Sequence, residues 1–245
     1  MPVTRHAEAV AVLADPRYTP PPVPAGQTEG TLAWLRSRVS RFCAGQEHAE
    51  RRRPLVDLLD ALDPAELRAA ARALTLEREG RRRGVPAAVL GAALGVHDTR
   101  AVPAAAAGYL SGEESPQADA AVADLLEQTG VPVITLLLQA HAATEGLIEN
   151  ALAHDRGGDV ETLLHETLRH DPPLQATRRL DTRTGEKLTI DLVAVNRDPD
   201  VFPDPERFDS ARGRTPHLTF GSGVRPCPAP DHALALAAGV LEALR

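Results

Sequence analysis

His217-Leu218-Thr219-Phe220-Gly221-Ser222-Gly223-Val224-Arg225-Pro226-Cys227 is the stretch on which the reading of this chain turns. Its two glycines allow a tight loop, and Pro226 stiffens the exit. The loop delivers a cysteine. Downstream, residues 230–245 read as an apolar helix with proline at its start, where a missing N–H costs little. A helix beginning there would place its positive end near Cys227 and favour the thiolate. A buried cysteine taken alone is an inert small hydrophobe. Cys43, which has no such loop around it, is read that way.

Working outward, Asn196-Arg197-Asp198-Pro199 opens a run dense in proline, glycine and charge that continues to Asp209. It is expected to be a long ordered loop. Before it, residues 187–195 read as the best strand. Residues 159–170 read as a helix closed by Asp171-Pro172-Pro173, and they carry Glu166-Thr167-Leu168-Arg169. An E-x-x-R means little alone. The same spacing joins Glu50 to Arg53, Glu79 to Arg82 and Glu242 to Arg245, and a helical i,i+3 ion pair explains each. Residues 131–153 form the most apolar helix, expected at the centre of the fold. Further helices are expected over 6–14, 30–42, 46–62, 64–78, 85–95, 101–110 and 117–128, with a proline-rich loop over 18–30.

Composition bounds the answer. The chain has 245 residues, 43% of them apolar and only 3% aromatic. A core built from Leu, Val and Ala favours helices. A net charge of -7 argues against a nucleic-acid binder. Two isolated cysteines do not suggest a disulfide framework. The N-terminus shows no signal-peptide core, and the apolar stretch 131–143, broken by Gln139 and His141, is too short for a bilayer, which needs about 20 residues. A cytoplasmic protein with no nucleic-acid or membrane partner is expected.

Four segments, in order, resemble the cytochrome P450 superfamily: E-x-x-R at Glu166, the run from Asn196 to Asp209, the cysteine loop, and the helix after it. Upstream, VTRHAEAVAVLADPRY resembles an early P450 helix. Gly45-Gln46-Glu47-His48-Ala49-Glu50-Arg51-Arg52 resembles the G-x-x-H-x-x-x-R helix of the family. VPAAVLGAALGV resembles the helix before the roof of the substrate pocket, and LLLQAHAATEGLIENAL the long helix that crosses the heme. The resemblance has gaps: the leader, much of the roof over 96–131, a helix at 153–159 and a β-hairpin near 184. It implies a mainly α, reduced cytochrome P450-like fold with a small β region. It implies one domain over 1–245, with shortened N-terminal helices and roof in 1–130 and a heme-binding core in 131–245.

The resemblance also assigns roles. Cys227 would be the thiolate ligand to the iron of heme b, pushing electron density onto the metal, and Phe220 would shield the sulfur. Pro228 and Ala229 depart from the family pattern. Fewer N–H donors to sulfur would lower the iron potential. His48, Arg52, Arg179 and Arg225 are candidates for the heme propionates, or else solvated arginines and a structural histidine. Arg51 and Arg53 would face a ferredoxin-type electron donor or simply water. Glu166, Arg169 and Arg207 would form a buried structural triad. On the distal helix the acid–alcohol pair of the family is replaced by Ala142 and Ala143. Thr144 and His141 remain as catalytic candidates beside Glu145, although His141 equally suits a core position.

The function so implied is a heme-thiolate oxidoreductase, a cytochrome P450-type monooxygenase or an atypical relative. It would act on a small-molecule substrate in specialised metabolism through a non-standard oxygen-activation site. The alternative is a heme-free helper protein for a partner enzyme, and a third reading is a heme sensor or carrier. A shortened roof leaves an open face that would suit a homodimer.

Overall fold

The computed structural model describes residues 2–24 and 26–245. Met1, and Ala25 inside the expected loop 18–30, lie outside the described residues. In chain order the elements are α1 (His6–Ala14), β1 (Tyr18–Thr19), α2 (Leu32–Arg38), α3 (Gly45–Asp60), α4 (Pro64–Glu77), α5 (Val85–Ala93), α6 (Val102–Ala107) and α7 (Pro116–Gln128). The long α8 (Val131–His154) follows, then α9 (Val160–His170), β2 (Ala176–Asp181), β3 (Lys187–Asp191), α10 (Leu192–Val195) and α11 (Pro230–Leu244). The chain divides into two compact units. One holds the residues up to Pro21 and Gly146–Pro230; the other holds Pro22–Glu145 and Asp231–Arg245.

In the first unit the three strands form an antiparallel sheet in the order β1-β2-β3. Tyr18 stands opposite Asp181, and Arg178 opposite Thr189. Val3 adds a parallel bridge to Ile190, its N–H donating to Thr189 O at 2.8 Å. A small core of Val3, Ala9, Val12, Leu13, Ile190, Leu192, Val195 and Leu218 holds α1 to the sheet and to the start of the cysteine loop. Removing that apolar surface from water stabilises the unit by about 25 cal/mol per Å². The strand expected over 187–195 stops at Asp191. The Asp191 carboxylate accepts the Ala194 N–H at 3.0 Å, capping a helical turn where an apolar run alone suits strand or helix.

The second unit is a set of helices whose starts are chemically marked. Thr31, Asp63 and Ser115 each cap a helix with a side-chain oxygen. Proline stands in the first turns of α4, α5, α6 and α7, as its fixed φ allows. α4 and α11 approach so closely that a Cβ on Gly239 would stand 2.1 Å from Arg68 O. Arg68 pairs with Glu242 across that contact. α8 is long and apolar enough to cross a membrane by length and composition. Its residues Ile134, Thr135, Leu136, Leu137 and Leu138 are buried, and 44% of its apolar window is buried.

Candidate functional site

The scaffold of the first unit's site is an ion pair without solvent. Glu166 and Arg169 are both fully buried. Arg169 Nε and Nη2 donate to the two Glu166 oxygens at 2.8 and 2.6 Å. The remaining guanidinium hydrogens reach the carbonyls of Pro205 at 2.9 Å and Arg207 at 3.0 Å. The pair is thus hydrogen-bonded on every side, the condition under which buried charge is tolerated. Elsewhere, Glu50 accepts the Gln46 amide and Glu242 pairs with Arg68.

The third member differs from expectation. The Arg207 side chain is exposed and lies 3.6 Å from Asp209. Its carbonyl, not its guanidinium, faces Arg169. Arg212 completes the triad, with Nε 3.4 Å from Glu166 Oε1 and a mostly buried side chain. The chain turns sharply at Asp204, where φ is +47°, and Asp209 N–H bonds Glu166 Oε1 at 2.8 Å. That path points Arg207 outward and brings Arg212 back.

Asn196 links this scaffold to the cysteine loop. It is fully buried. Its amide donates to Thr219 Oγ1 at 2.8 Å and Leu168 O at 3.3 Å, and its Oδ1 accepts Leu218 N–H at 2.7 Å. One side chain therefore fixes the end of α9 against the loop. In the sequence Asn196 stands out only as part of a motif. Its signal is a polar residue directly after the apolar run 192–195, of which Leu192 and Val195 are buried. The loop then crosses α1: Val224 N–H donates to Leu13 O at 3.2 Å. A Cβ on Gly223, which has φ +65°, would stand 2.4 Å from that same oxygen. Only glycine fits there.

At the loop's end Cys227 N–H donates to Phe220 O at 2.7 Å, so the sulfur and the ring share one closed turn. The thiol is half-buried. Pro228 offers it no N–H, and the Ala229 amide donates to Sγ at 3.4 Å. α11 begins at the next residue, Pro230. A partly open sulfur with an amide donor fits a thiolate that ligates a metal from one side. Among the described residues no group of three His, Cys, Asp or Glu side chains could hold an ion.

Around the loop, burial pushes the His217 imidazole down to about 4, with His165 and Arg169 adding to the shift. Its ring stands 5.8 Å from Phe220. Arg225 is half-buried. Arg179 is buried and folds along its own strand, Nη1 donating to Thr177 Oγ1 at 2.9 Å and Arg178 O at 2.8 Å.

The other candidates lie in the second unit. His48 and Arg52, four residues apart on α3, are both half-buried. Arg51 is held within the unit, donating to Ser37 O at 2.7 Å and pairing with Glu47. Arg53 is exposed. On α8, Thr144 is 1% exposed, and its Oγ1 is buried without a hydrogen-bond partner. His141 Nδ1 is in the same condition. Burial lowers the His141 pKa, and Glu145 only partly offsets it, so the ring is neutral at pH 7. Glu145 is otherwise engaged, its Oε1 accepting Gly84 N–H at 2.7 Å ahead of α5.

Fold and loop together define a mainly helical protein with a small sheet that presents one cysteine just before a helix. Comparison with known proteins agrees. No family model matches the chain. It is 32% identical over 123 residues to a biotin biosynthesis cytochrome P450 of Bacillus subtilis, covering 41% of this chain and 31% of that protein. It is 32% identical over 114 residues to the cyclomarin C epoxidase CymV of Salinispora arenicola, covering 38% and 29%. The matches thus span about a third of the relatives' length. Among solved structures, a P450BioI in complex with a fatty-acid-ligated acyl carrier protein superposes at TM-score 0.76 and 20% identity, over 99% of this chain and 84% of that one. A myxobacterial P450 in complex with myristic acid gives TM-score 0.78 and 20% identity, over 98% and 80%. The chain has the cytochrome P450 fold, and about two fifths of it is similar in sequence to curated P450s.

Proposed function

We propose that the chain binds heme b through the Cys227 thiolate and acts as a heme-thiolate oxidoreductase on a small organic molecule. The observation that carries this is the closed turn in which Cys227 N–H meets Phe220 O at 2.7 Å, leaving a half-buried sulfur. When bound, a thiolate-ligated heme supplies oxidative chemistry at its iron. The chain's own part is to keep sulfur ionised, through the Ala229 amide, and to shield it with Phe220. Arg225 and Arg179 are the candidates for propionates within the unit that carries Cys227. His48 and Arg52 take that role by resemblance.

Thr144 and His141 are the distal candidates, each with a buried polar atom that lacks a partner. Such atoms are costly and suit a water or substrate group. A neutral His141 can accept a proton and pass it on, and it replaces a carboxylate where Ala142 stands. An organic substrate in specialised metabolism, a ferredoxin-type donor and a homodimer complete the reading. The relatives' names, a biotin biosynthesis P450 and a cyclomarin C epoxidase, support a small organic substrate.

The test is an absorption spectrum of the protein supplied with heme, reduced under carbon monoxide. A strongly red-shifted Soret band that Cys227→Ala abolishes is expected. Heme uptake with no such band overturns thiolate ligation by Cys227, and no uptake overturns the proposal in favour of a heme-free helper.

A further inference from the structure

The second unit contains a pocket of about 420 Å³ between α2, α3 and the first turns of α8. That volume lies within the usual range for small-molecule sites. Its walls include Trp34, Val39, Leu55 and Pro132, an indole and three aliphatic surfaces. Its charged groups are Arg38, Arg51 and Glu50. They are not equivalent. Arg51 is already paired with Glu47 and bonded to Ser37 O. Glu50 accepts the Gln46 amide at 2.7 Å. Arg38 is exposed, makes no ion pair among the described residues, and sits with its guanidinium 5.7 Å from the Trp34 ring centre.

We propose that this pocket binds an organic carboxylate with an apolar tail, its head group on Arg38 and its tail along Trp34, Leu55 and Pro132. Charge decides the class. A guanidinium with no ion pair among the described residues, at the edge of an open apolar cleft, offers a planar fork to a carboxylate, and the one lining carboxylate, Glu50, is exposed and already accepts the Gln46 amide. Trp34 supplies apolar area with little entropy to lose. The proposal stands apart from the heme reading, because every residue it uses belongs to the second unit and none is a candidate heme contact.

Trp34 is the sole tryptophan of the chain, so its emission reports on this pocket alone. The full chain is titrated with sodium decanoate and, separately, with decyltrimethylammonium, each kept below its micellar concentration. A saturable change in Trp34 emission with decanoate and none with the cation is expected. Arg38→Gln should weaken decanoate binding about tenfold or more, and Arg38→Lys should restore most of it. Val131→Phe, which narrows the cavity, should block binding while far-UV circular dichroism stays unchanged. An equal response to both head groups, no saturation, or full affinity in Arg38→Gln overturns the proposal.

Discussion

Arg169 shows how much one side chain can carry. It is fully buried, and its charge is balanced only by Glu166 and nearby carbonyls. Arg169→Ala removes both guanidinium bonds to Glu166 and leaves that buried carboxylate only the Arg212 contact and the Asp209 amide, a loss of about 3–5 kcal/mol. Arg207→Ala removes an exposed side chain and should cost under about 0.5 kcal/mol. Arg212→Ala should fall between them, since Arg212 and not Arg207 approaches Glu166. Urea denaturation of the three variants checks the order; equal losses for Arg207 and Arg212 would contradict the assignment. His217 adds a pH dependence. Its folded-state pKa, near 4, lies below the ordinary 6.5, so the unfolded chain binds the extra proton between those values. Its contribution is therefore complete above about pH 6.5 and is lost as pH falls toward 4. The full difference is about 3 kcal/mol. Stability curves of wild type and His217→Phe should converge above pH 6.5 in slope and diverge below it; parallel curves through that window would refute the burial account.

Among the elements, close approaches matter more than propensity. A Cβ on Gly239 of α11 would meet Arg68 O of α4 at 2.1 Å and Ala71 Cβ at 3.0 Å. Gly239→Ala raises helix propensity yet should destabilise by about 1–3 kcal/mol through overpacking, read as a lower urea midpoint. An unchanged or higher midpoint would mean that the two helices are free to separate. The sequence makes most helices legible because they are punctuated. Asp15-Pro16 ends α1, Asp63-Pro64 opens α4, and Asp171-Pro172 closes α9, so the expected and observed limits nearly coincide. Where punctuation is absent, reading falters. Residues 192–195, Leu-Val-Ala-Val, carry no period that separates strand from helix, and only the Asp191 cap decides. Arg207 lies in a turn and Arg212 in the single 3-10 turn Ser210–Arg212, a stretch with no repeat, so the motif identifies the region but not the guanidinium that turns inward. The cysteine loop was legible as a turn from Gly221 and Gly223. Its seating on Leu13 O was not, because that contact joins residues some two hundred positions apart.

At the scale of the molecule, the question is whether a chain whose sequence matches span about a third of its relatives still gains from a cofactor. Ligand binding to the folded state alone stabilises it by mass action, about 2.7 kcal/mol when free heme is a hundred times its Kd. For a chain of this size that corresponds to a rise in Tm of roughly 5–10 °C. The rise should grow with the logarithm of heme concentration. Heme added to wild type should therefore shift the melting transition, and Cys227→Ala should lose most of that shift. The variant's own melting point without heme should stay within about 2 °C of wild type, since the thiol is only half-buried. An equal shift in both proteins would mean that heme is held by apolar contact and not by sulfur. No shift in either would mean that the fold and the Glu166–Arg169 scaffold have been kept for a purpose other than holding heme, the outcome expected of a helper subunit.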